Sequence, residues 1–147
     1  MASVTLTNAG INWSDSQTPT SAGSTQSEIL DSYEEGVWTP TSAVGTLSAH
    51  HAVYTKVGRL VQINSRLTFG STSNSTTQTV NGFPFTSYSG AYGAGSVGYS
   101  AYTAKALKIT IFGDVSSMSL YAHDSTGGLN AAALNSKRID FTIHYIV

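Results

Sequence analysis

The sequence has no cysteine, few charged residues and no long apolar run. Without cysteine, the 147-residue chain forms neither disulfides nor Cys-based zinc sites. Charged residues make up only 10% of it, so it lacks the clustered Lys and Arg by which nucleic-acid-binding proteins neutralise phosphate. No apolar run approaches the roughly 18 residues of a membrane span, and MASVTLTNAG has no signal-peptide features. We therefore expect no nucleic acid partner, no membrane insertion and no directed export.

Strong helix formers are also scarce, and small hydroxyl residues take their place. The chain has 22 Ser and 19 Thr, which are poor helix formers. Its hydrophobic content of 40%, with 8 Tyr, 5 Phe and 2 Trp, is too high for a disordered chain. A folded, β-rich domain is therefore expected.

The few charges are unevenly distributed along the chain. Residues 1–40 contain five acidic and no basic residues, whereas 41–147 contain seven basic and three acidic ones, which gives net charges of −5 and +4. The polar stretch 14–27 (SDSQTPTSAGSTQS) is typical of a linker. These patterns predict an extended acidic N-terminal arm at 1–30 with a short strand at Val4 to Thr7, and a β domain at 31–147.

Short alternating segments separated by Gly and Asn turns predict the strands of this domain. Arg59 to Phe69 alternates most clearly, with Val61, Ile63, Leu67 and Phe69 on one face. Leu107 to Ile111 and Ile139 to Val147 alternate in the same way, and weaker strands are predicted at 33–38, 53–57, 76–81, 96–102 and 115–122. Only Leu129 to Asn135 favours a helix. The sequence thus predicts an all-β fold, an antiparallel β-sandwich or jelly-roll-like domain.

Two short patterns invite a catalytic or cofactor-binding interpretation. The segment 93–98 (GAGSVG) matches the GxGxxG string of dinucleotide-binding folds, but no helix is predicted after it, so a glycine-rich loop or strand is expected. Glu34 and Glu35 are adjacent, and neighbouring residues of a strand point to opposite faces, whereas the two carboxylates of a glycosidase face the same bond. Neither pattern predicts an active site.

The histidines do not have the spacing of a metal site. His50 and His51 are adjacent, and the remaining candidates, His123–Asp124 and His144, match no zinc template. We predict no catalytic residue, no metal and no cofactor.

Four tyrosines lie within a segment rich in Gly, Ala and Ser: Tyr88, Tyr92, Tyr99 and Tyr102. Tyrosines on the loops of a β domain stack on sugar rings, and they are equally enriched at subunit interfaces. Both interpretations, glycan contact and interface, remain open.

Several motifs follow one another along the chain: 30–40 (LDSYEEGVWTP), 54–61 (YTKVGRLV), 82–85 (GFPF) and the closing 143–147 (IHYIV). They resemble the LDDYEEGTWTP, YTKIGR and GLPF signature of a module found in bacteriophage tail fibres, tailspikes and capsid-attached appendage or decoration proteins. Val37 and Phe83 depart from that pattern, and 86–137 matches only loosely. The positions that match are Tyr33, Glu34, Glu35, Gly36, Trp38, Thr39, Pro40, Tyr54, Lys56, Gly58, Arg59, Gly82, Pro84 and Phe85.

The resemblance implies a trimeric, β-rich surface module without catalytic residues. Its signature residues are expected to have structural roles. Trp38 would be buried, Pro40 would end a strand, and the segment 56–59 would form a hairpin turn. Glu34 or Glu35 would pair with the Lys or Arg of that turn.

Together these observations predict a non-enzymatic structural protein on the virion surface of a tailed bacteriophage, assembled in the bacterial cytoplasm. A capsid decoration (cement) protein or short surface appendage is expected, since few residues precede the signature. Its partners would be two further copies in a homotrimer and other virion proteins, such as the major capsid protein, bound through the arm. The alternative is a tail-fibre tip that binds a host surface glycan.

Overall fold

A computed structural model describes residues 33–147 in full and three N-terminal segments, 3–7, 10–14 and 29–30, as backbone strands. These segments are β1 (Ser3–Thr7), β2 (Gly10–Ser14) and β3 (Ile29–Leu30), which pair in an antiparallel sheet in the order β1-β2-β3. β1 covers the predicted strand at Val4 to Thr7, whereas the sequence pattern predicts neither β2 nor β3. Residues 15–28, which include most of the predicted linker, lie outside the described residues.

The other strands form one antiparallel sheet. They are β4 (Tyr33–Val37), β5 (Thr41–Ser42), β6 (Leu47–Val57), β7 (Leu60–Phe69), β8 (Thr79–Asn81), β9 (Gly93–Ser100), β10 (Leu107–Ile111), β11 (Ser117–Ala122) and β12 (Arg138–Ile146). Their order in the sheet is β4-β6-β7-β12-β9-β10-β11-β8-β5. The prediction of an all-β antiparallel domain is confirmed, with the strands in a single continuous sheet.

The strands with the clearest alternation provide most of the core. β7 and β12 lie side by side and alternate buried with more exposed residues along their length. This alternation places every second side chain on one face of the sheet, where apolar groups leave water. The buried apolar residues of these two strands are Val61, Ile63, Leu67, Phe69, Ile139, Phe141, Ile143 and Tyr145.

The sheet must curl strongly, because its two terminal strands are neighbours in the sequence. β4 and β5 lie at opposite ends of the strand order, yet only residues 38–40 separate them. A chain spans at most about 3.6 Å per residue, so Val37 and Thr41 lie within about 15 Å of each other. Residues 38–40, named here the closing segment, therefore bring the two ends of the sheet together.

Two β-bulges interrupt the regular register next to each other. One lies in β6 between Ala49 and His51, opposite β7, and the other lies where β12 shifts against β9 between Asp140 and Phe141. In the second bulge, Asp140 pairs with Tyr99 and Phe141 pairs with Val97. Bulges bend the strand and redirect its side chains, so they mark this part of the outer face as irregular.

The predicted helical segment contains a single turn of 3-10 helix, Ala131–Leu134. The side chain of Asn130 caps it by accepting a hydrogen bond of 2.8 Å from the backbone N–H of Ala133. The GAGSVG segment lies within β9, so the prediction of a strand or loop there is confirmed.

Candidate functional site

The segments that resemble the phage signature meet where the sheet closes. The Trp38 and Phe83 rings pack edge to face with centroids 5.4 Å apart, and Phe83 stacks on Tyr145, also at 5.4 Å. Gly82 has a φ of 91°, and a Cβ atom there would lie 2.5 Å from the carbonyl oxygen of Thr39. Glycine is therefore required where this segment crosses the closing segment.

The neighbouring signature residues also pack inward. Pro40, the last residue of the closing segment, is buried, and Pro84 is half-buried. The Tyr145 hydroxyl donates a hydrogen bond of 3.1 Å to the carbonyl oxygen of Phe85, and burial raises the pKa of Tyr145 well above its ordinary value. This end of the domain is thus an aromatic packing region.

Gly36, Tyr54 and Glu34 form a second contact between signature segments. Tyr54 lies directly opposite Gly36 on the adjacent strand, and a Cβ atom at Gly36 would lie 2.9 Å from the Tyr54 hydroxyl oxygen. The Tyr54 hydroxyl donates a hydrogen bond of 2.6 Å to Glu34 Oε1, and its ring packs edge to face on Phe85 at 5.5 Å. This hydrogen bond raises the pKa of Tyr54. The absence of a side chain at Gly36 leaves the space that the tyrosine ring occupies.

The two glutamates lie on opposite faces of β4, as their adjacency predicts. Glu35 accepts a hydrogen bond of 2.7 Å from the Tyr33 hydroxyl, which raises the pKa of Tyr33. Lys56 lies directly opposite Glu34, with its Nζ atom 5.6 Å from the centroid of the Phe85 ring. The adjacent carboxylates bind tyrosines on separate faces, which is unsuited to glycosidase chemistry. An ion pair between Glu34 and Lys56 stays a prediction.

The YTKVGR segment forms the tight turn between β6 and β7. Gly58 has a φ of 58°, a conformation that favours glycine. Arg59 follows it, donating a hydrogen bond of 2.7 Å from Nε to the Val147 carbonyl oxygen and lying over the Tyr88 ring at 4.6 Å. Among the residues of 33–147, Arg59 is therefore held by Val147 and Tyr88, and not by Glu34 or Glu35.

The four tyrosines of 88–102 do not form one site. Tyr88 and Tyr92 are exposed, and Tyr92 packs edge to face on the exposed Phe112 at 5.7 Å. Tyr99 is also exposed but lies beside β12, whereas Tyr102 packs against the core. Three of the four thus remain accessible for a glycan or a subunit contact, at two different places.

A groove of about 610 Å³ lies across the outer faces of β6, β7, β12 and β9. It lies at the two bulges. We call it the polar groove, and its main side chains are His50, His51, Asn64, Arg66, Asp140 and Thr142. The sequence pattern points to the two histidines only as candidate metal ligands and gives no sign of the groove, because its residues come from four strands.

An ion cluster lies along the polar groove. Asp140 accepts hydrogen bonds from Arg138 Nε at 2.8 Å and from Arg138 Nη2, and from Arg66 Nε at 3.1 Å. These arginines lower the pKa of Asp140, with the Arg138 hydrogen bond as the largest cause, and Asp140 raises the pKa of Arg138. Arg138 also lies over the Tyr99 ring at 4.7 Å. The cluster carries two positive charges and one negative charge.

Asp140→Asn is expected to reduce stability at neutral pH but not in acid. Because the folded-state pKa is lowered, ionised Asp140 stabilises the protein fully above the unfolded value of about 3.9, and this contribution is lost as the pH falls through the folded pKa. The expected loss is about 1 kcal/mol at pH 7, since the arginines are partly exposed. Urea unfolding measured from pH 7 to pH 2 should show the gap between wild type and variant closing below about pH 4.

Asp114→Asn provides the control for this change, since Asp114 makes no ion pair within residues 33–147. A constant gap between wild type and Asp140→Asn at every pH would contradict the argument.

Within residues 33–147, no three His, Asp or Glu side chains come together in a group that could hold a metal ion. His144 Nε2 lies 3.2 Å from Gln62 Oε1, and Asp124 pairs with Lys105 at 2.7 Å. In the part of the chain that is described, no helix is both long and apolar enough to cross a membrane.

Comparison of the chain with protein-family models, with curated proteins and with solved structures gives no match. The resemblance to the phage signature therefore rests on the quoted motifs alone.

Proposed function

We propose that this protein is a non-enzymatic structural module of a tailed bacteriophage virion, a capsid decoration protein or short surface appendage. The proposal is supported by the structural roles of the signature residues, which pack against one another. Trp38, Gly82 and Phe83 pack together at the closure of the sheet, and Tyr54 fills the space beside Gly36. Residues used in this way stabilise a β knob and do not form an open reaction site.

The charge distribution supports a role in assembly. Residues 1–40 carry a net charge of −5 and residues 41–147 a net charge of +4, so the two stretches attract complementary surfaces of neighbouring subunits. In the proposed arrangement the domain forms a jelly-roll-like knob in a homotrimer. Residues 1–30 form an extended arm that binds other virion proteins, such as the major capsid protein.

Locating the protein on virus particles tests the proposal directly. Antibody labelling in electron microscopy should place many copies on the particle exterior, and native mass measurement of the full chain should give a trimer. Absence of the protein from purified particles would overturn the virion assignment. A stable monomer at micromolar concentration would overturn the trimer alone.

The exposed tyrosines and the polar groove favour a second candidate, the receptor-binding tip of a tail fibre. Tyr92 exposes 73% of its surface and Tyr99 exposes 50%. Exposed aromatic rings beside hydrogen-bonding groups suit a sugar. This candidate predicts few copies, located at the tail, and purified protein that binds host cells and blocks infection.

A further inference from the structure

Within residues 33–147, two side chains of the polar groove have hydrogen-bond donors that are not used. Arg66 uses only Nε in its bond to Asp140, and within residues 33–147 its Nη1 and Nη2 atoms make no hydrogen bond. Asn64 uses its Oδ1 atom to accept a hydrogen bond of 2.6 Å from the Thr142 hydroxyl, which leaves both N–H groups of its amide available.

Among the described residues, the only carboxylate that lines the groove, Asp140, is already engaged. It accepts three hydrogen bonds from the two arginines. A ligand that satisfies the remaining donors must therefore be rich in acceptors, and the net positive charge of the ion cluster favours an anion.

The geometry of the Arg66 guanidinium group indicates that the anionic ligand is planar. The Nη1 and Nη2 atoms of Arg66 form a fork that matches the two oxygens of a carboxylate, and such bidentate pairs are stronger and more specific than single hydrogen bonds. Arg66 is held in place through Nε by Asp140, which is itself fixed by Arg138. The fork is therefore positioned before any ligand arrives.

The rest of the groove suits the hydroxyl groups of a sugar. His50, His51, Asn64 and Ser96 line it, and each offers a hydrogen-bonding group. Tyr99, whose ring faces Arg138 and is half exposed, lies next to Asp140 on the adjacent strand. The groove volume of about 610 Å³ is within the range of roughly 300–1,000 Å³ that small-molecule sites occupy.

We propose that the polar groove binds a carboxylated saccharide, with the Arg66 fork on the carboxylate and Asn64 and the histidines on the sugar hydroxyls. This goes beyond the proposed function, because it applies equally to a capsid decoration protein and to a fibre tip. A failure of one proposal therefore leaves the other standing.

Calorimetric titration of the full chain with glucuronate, glucose and acetate tests the proposal. Glucuronate should bind at least about tenfold more tightly than either glucose, which lacks the carboxylate, or acetate, which lacks the sugar. Equal binding of glucose would overturn the role of the carboxylate. Acetate binding as tightly as glucuronate would overturn the role of the sugar, and no binding of glucuronate at millimolar concentration would overturn the whole proposal.

Arg66→Gln should weaken glucuronate binding by about tenfold or more, since hydrogen bonds to a charged group are the stronger class. Lys105→Gln is the matched control: it also removes one positive charge, from an exposed ion pair away from the groove lining, and should bind as wild type does. Equal weakening in both variants would reveal only a general charge effect. Asn64→Ala, expected to bind less tightly than wild type, keeps the test valid if Arg66→Gln folds poorly, as judged by its circular dichroism.

Discussion

Gly95→Ala is expected to lower the free energy of unfolding by about 3 kcal/mol or more, a large part of the roughly 5–15 kcal/mol that stabilises a typical domain. Gly95 lies opposite Ile143 on β12. An added Cβ atom would lie 2.2 Å from Ile143 Cγ2 and 2.5 Å from the Thr142 carbonyl oxygen. That carbonyl has little freedom to move, because β12 is paired with β7 on one side and β9 on the other. Urea denaturation followed by tryptophan fluorescence measures the loss.

Gly98→Ala is the matched control within the same GAGSVG segment. The nearest atom to a Cβ at Gly98 is the Asp140 carbonyl oxygen at 3.9 Å, an ordinary contact distance. We expect a change within about 0.5 kcal/mol. If both variants lost the same stability, the general cost of changing a strand glycine, and not the contact with β12, would explain the effect.

Trp38→Ala is expected to cost about 3–5 kcal/mol, because it removes the large side chain that packs at the closure of the sheet. Trp38 is 6% exposed and contacts Phe83. Its Nε1 atom is buried and has no hydrogen-bond partner among the described residues. Trp38→Phe should therefore cost only about 1 kcal/mol, since it keeps an aromatic ring and breaks no hydrogen bond. Thermal unfolding followed by circular dichroism distinguishes the two variants.

The neighbouring Val37 supplies the control for this series. It is 80% exposed, so Val37→Ala should change stability by no more than about 0.5 kcal/mol. A Trp38→Phe variant as unstable as Trp38→Ala would mean that the indole N–H makes a contact that the packing argument omits.

Alternation predicted the central strands well, and its failures have physical causes. β7, β10 and β12 are regular because each buries one face. β6 begins at Leu47, six residues before the predicted strand, because the bulge between Ala49 and His51 shifts the alternation by one residue. β5 has only two residues, too few for a period to be visible.

The candidate sites were also predicted only in part from the sequence. The motifs identified the residues that lie at the closure of the sheet. They did not predict that Trp38 contacts Phe83, 45 positions away in the sequence, because that contact depends on the curl of the sheet. The polar groove was missed because Arg66 and Asp140 become neighbours only through the register of β7 with β12. The polar residues at the outward positions of both strands were the available signal for the groove. That signal becomes useful only when the pairing of β7 with β12 is known.

The central position of β12 has a consequence for the order of folding during synthesis. β12 is the latest strand of the sheet in the chain, yet it joins β4-β6-β7 on one side to β9-β10-β11-β8-β5 on the other. Until the ribosome has released β12, β7 and β9 each expose an unpaired strand edge. The apolar residues that later pack with β12 also remain open to other chains. Newly made chains should therefore depend on rapid completion of synthesis or on chaperone protection. The nine residues of β12 complete the sheet by joining its two halves.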